Sequence, residues 1–596
     1  IKSYPFIYWI SDEFREQFHK ATIEQIGYVA LGLKTANNNR FLRYWWEIEK
    51  TKMNYIVDDP KHKWIRYVKG GEYNKWYGNE WLLINWENNG QGIKNYNNSQ
   101  MIEKGYEFKQ GVAVSTRSNK GASSRLLNKE HLFDMASSSI LSNKEENTFV
   151  LLALANSKLF NYTLTCLNPT VNIQPEDIRR VPYVENEKNQ SIDMIAKLNY
   201  NIKYKLCENS IIEHNYRCNP IIFIRESTNI SDIKTLVKSY YEYENIHLTQ
   251  VLINQAIIDE TIFNIYSLSE IDKQMVIDKE GMPVGSLPVM QIAKEEYLKE
   301  IEALQLSQQG ILENIQLTYD YIKSLPIEEL QVGKKQELPE LFTSLYQSNN
   351  DLEEFCIKQQ INPINVWYLF KQSNVLPQQR TQTIAMELLV DFIRELLQED
   401  EDGIIPLVNI PGEKLLSELV EEKFFQKGFT TAQYSNFSGL LGKDINNYLD
   451  NNFFKDFSDH LNLFMYLPKT PYIWHISSGQ YKAFECYILI YKWSKDAMFR
   501  LRSVYVDKRE SALKNRLIDL MNEKTAQALN EVDLIQKQLN EIEIFKKKLD
   551  EILASVYDPK LDDGVGKNIA PLQEKGILKY DVLNSGQLKK YLKADW

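Results

Sequence analysis

The sequence predicts an α+β, mostly helical fold, in which an α/β module over residues 25–185 precedes a long helical body. Residues 25–110 alternate short aromatic and β-branched runs with Gly-, Asn- and Asp-rich clusters, a pattern typical of strands joined by turns. From about residue 190 onward, apolar residues recur at helical spacing over long segments. Residues 504–556 carry apolar residues at a/d spacing, interrupted at Lys546, which favours a coiled-coil-like helical hairpin within one chain rather than a zipper between two chains.

The α/β module is bounded by recognisable local signals. Residues 1–24 predict an extended piece and a short amphipathic helix with Ser11 as its N-cap, and we interpret them as a connector from a preceding domain. Residues 147–165 predict a buried helix that begins at Asn147. A proline-containing stretch after this helix closes the module at about residue 185.

The helical body divides into two predicted domains, 186–400 and 404–596. An acidic stretch, QEDEDG at 398–403, predicts a break at the surface between them. Within the second domain, PYIWHISSG at 471–479 predicts a strand and turn, and 504–556 predicts a long helix.

The composition excludes several classes of protein. The chain has 596 residues, of which 43% are hydrophobic and 25% charged, so a disordered chain is excluded and several domains are expected. It contains no run of about 18 apolar residues, so we expect no membrane span. Five scattered cysteines indicate a reducing compartment, and the spacing of Cys207, His214 and Cys218 fits no zinc module, so no metal site is expected. The chain begins without Met or signal-peptide features, and we interpret it as starting inside a longer protein.

The net charge of −10 is unevenly distributed. Residues 1–185 contain 24 Lys and Arg against 20 Asp and Glu, whereas the remaining 411 residues contain 46 against 60. A mildly basic first third on an acidic body is compatible with a local contact to nucleic acid, although so small an excess has little weight by itself.

Catalytic signatures are missing from the sequence. It contains no G-x-x-x-x-G-K-[ST], G-x-S-x-G or H-E-x-x-H motif, and Gly564-Val-Gly566 is a weak match to a nucleotide-binding loop. The residues alone therefore indicate a binding or scaffolding protein without a recognisable active site.

Four ordered stretches carry a family resemblance. They are GLKTANNNRFLRYWWE at 32–47; KGGEYNKWYG at 69–78 with NWENNG at 85–90; LANSK at 154–158 with LNPTVN at 167–172 and DIRRVP at 177–182; and PYIWHISSGQYKAF at 471–484 with LRSVYVDKRESAL at 501–513 and LDDGVGKNIAP at 561–571. Together they resemble the C-terminal half of the PglX family, the adenine-specific DNA methyltransferases of BREX phage-defence systems. Large single-chain restriction–modification methyltransferases share parts of the pattern.

The resemblance implies site-specific adenine methylation with S-adenosylmethionine, in a bacterial or archaeal cytoplasm at the nucleoid. It implies double-stranded DNA, the N-terminal methyltransferase half and other BREX proteins as partners, and no membrane. The family's catalytic tetrapeptide N-P-P-[YF], which holds an extruded adenine, is missing here, since NPTV at 168–171 lacks the second Pro and the aromatic residue. We therefore expect this chain to be inactive by itself, with no catalytic or cofactor-binding residues, and to supply target recognition through 25–185.

The candidate DNA contacts are cations and amides in turns of the α/β module, because such side chains bind phosphates and base edges. The loop 115–125 is the strongest candidate, the Asn run at 37–39 is equally typical of a plain turn, and Trp45, Trp46, Trp76 and Trp86 are expected in the core. The candidates are Asn38, Arg40, Arg43, Lys69, Lys75, Lys94, Arg117, Asn119, Lys120 and Arg125. Two alternatives stay open: a protein-interaction scaffold of the defence complex with minor DNA contact, and the recognition part of a single-chain restriction–modification enzyme.

Overall fold

The computed structural model describes residues 10–49, 52–53, 63–115, 120–168, 170, 173–306, 315–345, 351–464, 466–521, 523 and 525–596. These residues confirm an α+β, mostly helical fold. None of the helices in these ranges is both long enough and apolar enough to cross a membrane.

The elements are numbered in chain order. The strands are β1 (Gly27–Ala30), β2 (Leu42–Tyr44), β3 (Trp64–Val68), β4 (Leu82–Asn85), β5 (Gly111–Ser115), β6 (Ser123–Leu127), β7 (His131–Phe133), β8 (Ser137–Ser142), β9 (Ile404–Pro406), β10 (Ile473–Ser477) and β11 (Glu485–Leu489). The helices are α1 (Asp12–Gln17), α2 (Ile23–Ile26), α3 (Asn38–Phe41), α4 (Glu87–Lys94), α5 (Thr148–Ala155), α6 (Lys158–Leu167), α7 (Pro175–Arg179), α8 (Asn189–Cys207), α9 (Pro220–Ser227), α10 (Ile233–Ile265), α11 (Glu270–Glu280), α12 (Gln291–Leu306), α13 (Gln316–Ser324), α14 (Val332–Leu345), α15 (Leu352–Gln359), α16 (Pro363–Gln372), α17 (Gln378–Glu399), α18 (Leu416–Gln426), α19 (Thr431–Leu441), α20 (Ile445–Asn451), α21 (Phe453–His460), α22 (Lys495–Arg500), α23 (Asp507–Met521), α24 (Ala526–Ala554), α25 (Val565–Glu574) and α26 (Ser585–Leu592).

The described residues form two compact units with interleaved chain segments. Unit 1 takes its residues from Ile1–Ala36, Asn54–Ser227 and Leu236–Arg380. Unit 2 takes its residues from Asn37–Met53, Thr228–Thr235 and Thr381–Trp596. These bounds differ from the predicted domains 1–24, 25–185, 186–400 and 404–596, since a stretch from inside the predicted α/β module packs with the C-terminal region.

Among the described residues, unit 1 contributes strands to two sheets. In the first, antiparallel pairing gives the strand order β1-β8-β5-β6. Val112, Val114 and Ile140 on one face of this sheet join a buried apolar cluster with Leu151 and Leu152 of α5. In the second, β3 pairs with β4 in antiparallel and with β7 in parallel orientation.

The helix predicted over 147–165 is two helices in the structure. α5 ends at Ala155, and α6 begins after Ser157, whose hydroxyl oxygen accepts a hydrogen bond from the Phe160 amide. A serine N-cap of this kind begins a new helix because it satisfies an amide that lacks a helical partner. Ser11, by contrast, caps α1 as predicted and accepts from the Phe14 amide.

Unit 2 is mainly helical around a small sheet of order β10-β11-β9. The PYIWHISSG stretch supplies β10 and the first residues of the following turn, as predicted. The pattern over 504–556 is an antiparallel hairpin of α23 and α24 rather than one continuous helix, because Thr525 caps α24 and starts it afresh. Ion pairs between Arg516 and Glu531 and between Lys546 and Glu510 join the two helices and confirm a hairpin within one chain.

The turn between β10 and β11 is built around one carboxylate of α24. Glu541, nearly buried, accepts hydrogen bonds from the Ser478 hydroxyl (2.6 Å) and from the amides of Tyr481 (2.7 Å) and Ala483 (3.1 Å). The hairpin and the sheet of unit 2 are therefore held together by a hydrogen-bonded anion as well as by apolar packing.

Candidate nucleic-acid interface

A left-handed turn follows β4 in unit 1. Asn88, Asn89 and Gly90 all have positive φ angles, of 52°, 55° and 71°. Asn tolerates this region better than most residues, and Gly90 is required there because an added Cβ would lie 2.7 Å from the Trp86 ring. Trp86 is buried, whereas both Asn side chains are exposed, so the turn presents two amides to solvent from a rigid base.

Exposed cations lie on the segments that pack around this turn. Lys94 ends α4, and Lys109 follows Phe108, whose ring packs edge-on against Trp86 at 6.0 Å. Within the described part of the chain, neither ammonium group has a carboxylate oxygen within 4.0 Å. We call Asn88, Asn89, Lys94 and Lys109 the Trp86 surface. Such a set offers amides for base edges and ammonium groups for phosphates.

Sequence reasoning had included Lys94 but missed Asn88 and Lys109. A further two exposed lysines, Lys34 and Lys104, lie in the same α/β part of unit 1 and have no carboxylate partner among the described residues. The available signal was the ENNG turn itself, because consecutive Asn residues before Gly favour positive φ angles. The sequence could not predict which lysines form ion pairs, because their carboxylate partners lie far away along the chain.

Lys69 and Arg125 lie inside the α/β part of unit 1. The Lys69 ammonium donates to the Asp134 carboxylate, which also accepts from the Tyr67 hydroxyl at 2.8 Å. Arg125, 3% exposed, donates to the carbonyls of Gly78 (2.8 Å) and Lys69 (3.1 Å), and burial lowers its pKa. Both cations therefore have structural contacts, and their predicted role in DNA binding stays a prediction.

Lys75 and Lys120 contact the first turn of α15. The Lys75 ammonium lies 3.5 Å from a Glu353 oxygen, and the Lys120 ammonium lies 2.8 Å from an Asp351 oxygen and also contacts Glu354. Two of the predicted DNA contacts are thus brought together by acidic residues more than 230 positions away.

Asn38, Arg40 and Arg43 belong to unit 2. Asn38 begins α3 and is half-buried, and Arg40 is exposed. Arg43 is 3% exposed and donates to the carbonyls of Asn39 (2.8 Å), Leu42 (2.7 Å) and Asp562 (2.8 Å). Its guanidinium therefore holds the segment 37–53 against the C-terminal part of the same unit.

Two adjacent residues reinforce that attachment in unit 2. The Trp46 indole donates to the Thr470 carbonyl at 3.0 Å, and the Glu47 carboxylate accepts from the Val565 amide at 2.9 Å. Burial raises the pKa of Glu47, while the charge of Arg43 opposes that rise.

Arg117 and Asn119 lie outside the described residues. Trp45, Trp46, Trp76 and Trp86 are buried, which confirms their prediction as core residues.

The Gly564-Val-Gly566 match to a cofactor loop is a packing motif. A Cβ on Gly564 would lie 2.6 Å from Arg43, and one on Gly566 would lie 2.6 Å from the Tyr591 ring. Side chains of unit 2 thus occupy the space beside both glycines, which therefore do not fit a bound S-adenosylmethionine. In the ranges that the structure describes, no group of three or more His, Cys, Asp or Glu is placed to bind a metal.

Comparison with known proteins gives two relatives of one kind. The chain is 25% identical over 534 residues to the adenine-specific methyltransferase BrxX of Escherichia coli O9:H4 (strain HS), an alignment that covers 84% of this chain and 38% of the relative. It is 27% identical over 213 residues to the adenine-specific methyltransferase PglX of Lacticaseibacillus casei (strain Zhang), covering 33% of this chain and 17% of the relative. No protein-family model matches the sequence.

The chain therefore spans well under half the length of each of these relatives. Both relatives carry the name of an adenine-specific methyltransferase, and it is to part of such proteins that this chain is similar.

Proposed function

We propose that this chain is the DNA-recognition part of an S-adenosylmethionine-dependent adenine-N6 DNA methyltransferase in a BREX-type anti-phage system. The observation that carries the proposal is the similarity to BrxX over 84% of the chain. The duplex is the substrate on this proposal, and the methyltransferase part of the protein and other BREX proteins are the partners.

The Trp86 surface is where we place the duplex. Asn88 and Asn89 can each pair with an adenine edge in the major groove, because an Asn amide matches the N6 and N7 positions of adenine. Lys94 and Lys109, both exposed, supply phosphate contacts that fix the register of the turn. Since base contacts specify and phosphate contacts position, the two pairs of residues have separable effects on binding.

Methyl transfer, on this proposal, is carried out by the methyltransferase part of the protein and not by this chain. The NPTV stretch does not replace the missing tetrapeptide, since the Asn168 side chain is already engaged: its amide donates to Asp177 at 2.7 Å and its oxygen accepts from the Thr170 amide at 2.9 Å. S-adenosylmethionine accordingly belongs to the methyltransferase part, and the chain's own task is to bind and orient the duplex.

A salt series on labelled duplex DNA tests the proposal. We expect the affinity of the folded chain to fall as salt rises from about 50 to about 200 mM, because lysine–phosphate contacts release counterions. The variant K94E/K109E should bind more weakly and reduce the salt slope by about one per lost phosphate contact. A matched control is K589E/K590E on α26, where both lysines are exposed in unit 2. Equal losses in the two variants would contradict the placement at the Trp86 surface.

An exposed apolar tip on the α23–α24 hairpin supports the scaffold alternative. Ile518, Met521 and Leu529 are each more than 60% exposed, near the end of α23 and the start of α24. Exposed apolar groups of this size are typical of surfaces that bind other proteins. A folded chain without any salt-dependent DNA binding would favour this function over DNA recognition.

A further inference from the structure

Two lysines of the α/β part of unit 1 meet one acidic turn. The turn is the start of α15, and its carboxylates Asp351, Glu353 and Glu354 contact Lys75 and Lys120. We call these three carboxylates the α15 clamp. Each lysine has at least one clamp carboxylate within 3.5 Å, so both positive charges are matched inside the molecule.

Tyr73 lies between the two lysines, and both ammonium groups contact its ring. The ammonium groups of Lys75 and Lys120 lie 5.6 and 5.9 Å from the centre of its ring, within the range of a cation–π contact. The Lys75 side chain is 13% exposed and that of Lys120 is 44% exposed, so the site runs from a largely covered cation to an open one. Burial by itself would lower the pKa of Lys75, but the charge of Glu353 raises it above the ordinary value.

The clamp does not need the lysines in order to stay folded. Asp351 is the N-cap of α15 and accepts a hydrogen bond from the Glu354 amide at 3.1 Å. Carboxylates in the first turn of a helix are stabilised by the helix dipole. The acidic turn can therefore release the lysines and remain a helix start.

We infer that the α15 clamp is a built-in competitor for DNA phosphates, which holds Lys75 and Lys120 in the free protein and yields them when a duplex binds. The inference rests on the proposed function, whose DNA-binding site it extends beyond the Trp86 surface. The ion pairs of Lys120 are open to solvent and therefore weak, and a duplex adds counterion release to each phosphate contact. The exchange therefore favours DNA, first at Lys120, once other contacts bring the duplex close.

The clamp thereby discriminates against loose binding. A duplex that touches only one or two cations has to displace three carboxylates and gains little, whereas a duplex held at the Trp86 surface supplies phosphates at high local concentration. Removing the clamp charges should consequently strengthen binding to DNA of any sequence.

The test is a variant that keeps the shape of the turn and removes its charge: D351N/E353Q/E354Q. Asn is as good an N-cap as Asp, so α15 keeps its start. The matched control is E328Q/E337Q/E340Q, which removes three exposed charges of unit 1 outside this turn. The probe is a fluorescein-labelled duplex of mixed sequence, titrated with each full chain at about 50 and about 200 mM salt.

We expect the clamp variant to bind about tenfold more tightly than wild type at the lower salt, because the ion pairs of Lys120 and Lys75 with the clamp no longer have to be broken. Its affinity should also fall more steeply with salt, since two more lysines are free to contact phosphates. Lysine acetylation mapped by mass spectrometry gives a second readout: Lys120 should react faster in the clamp variant than in wild type, and DNA should protect it.

Each outcome decides between the two proposals. If wild type and control bind DNA and the clamp variant binds no more tightly than the control, the clamp inference is wrong and the proposed function stands. If none of the three proteins binds DNA, the proposed function fails and the inference fails with it. If only the clamp variant binds, both are supported and the clamp is closed in the free chain.

Discussion

Replacing Arg43 by Met separates a structural from a DNA-binding role of this residue. The guanidinium donates three hydrogen bonds to carbonyls at 2.7–2.8 Å and is 3% exposed. Its charge also opposes the rise in pKa that burial imposes on Glu47. Removing one partner of a buried charged network costs about 3–5 kcal/mol of unfolding free energy. Protonation of Glu47 relieves part of this cost, so we expect the free energy of unfolding of R43M to fall by about 3 kcal/mol.

The pH dependence of this variant has a definite sign. Without Arg43, the folded-state pKa of Glu47 lies still further above its unfolded value, so protonation stabilises the folded chain. The contribution of Glu47 to the stability of R43M should therefore be greatest below about pH 4.3, the ordinary value for Glu, and should decline as the pH rises through the raised pKa of the folded state.

Urea unfolding followed by tryptophan fluorescence measures both effects, because Trp46 lies in the affected segment. Arg40→Met is the matched control: Arg40 is an exposed neighbour of the same type, and its loss should cost no more than about 1 kcal/mol. DNA affinity per folded molecule should be unchanged in R43M. A loss below about 1 kcal/mol, or a selective loss of DNA affinity in a fully stable R43M, would refute this reasoning.

Substitutions at three further positions probe unit 2, each by urea unfolding. Glu541→Ala leaves two amides and a hydroxyl of the β10–β11 turn unsatisfied and should cost about 2–4 kcal/mol, with Glu541→Gln in between; equal values for the two variants would contradict the role of the charge. Burial of Glu485 disfavours its charge, but His475 and Lys579 hold its pKa down at about 2, so the stabilisation is present above about pH 4.3 and fades towards about pH 2. The difference in the free energy of unfolding between wild type and Glu485→Gln should shrink as the pH falls from about 4.3 to about 2. A difference that stays constant over this range would contradict the role of the Glu485 charge. Gly564→Ala should lower the free energy of unfolding by more than about 1 kcal/mol, because an alanine is strained at φ 86° and its Cβ would also contact Arg43. An unchanged stability would contradict this packing.

Local patterns in the sequence were sufficient for much of the fold. The Ser11 cap, the strand in 471–479 and the hairpin within 504–556 follow from residue types a few positions apart, which is the distance over which capping and amphipathic periodicity act. The break at Ser157 was missed because the apolar run continues across it, although the Ser was a signal for a new helix start.

Pairings between remote residues could not be predicted. Lys75 and Lys120 are predicted from the sequence as DNA contacts, and their contacts with Glu353 and Asp351 depend on how unit 1 folds rather than on any local pattern. Arg43 was placed with the other loop cations for the same reason. Its burial becomes visible only when the segment 37–53 is found in unit 2.

The membership of residues 37–53 in unit 2 sets a limit on how the protein can be re-targeted by exchange of parts. A transplant of the whole stretch 25–185 from a relative with another specificity would carry foreign versions of Arg43 and Trp46 into a host unit whose Thr470 and Gly564 are fitted to the native ones. A graft that begins after residue 53 leaves residues 37–53 in their native contacts while exchanging the Trp86 surface. A recombination boundary after residue 53 therefore follows the division between the two units, and a library built on it should yield folded chimeras where exchange of the whole stretch 25–185 does not.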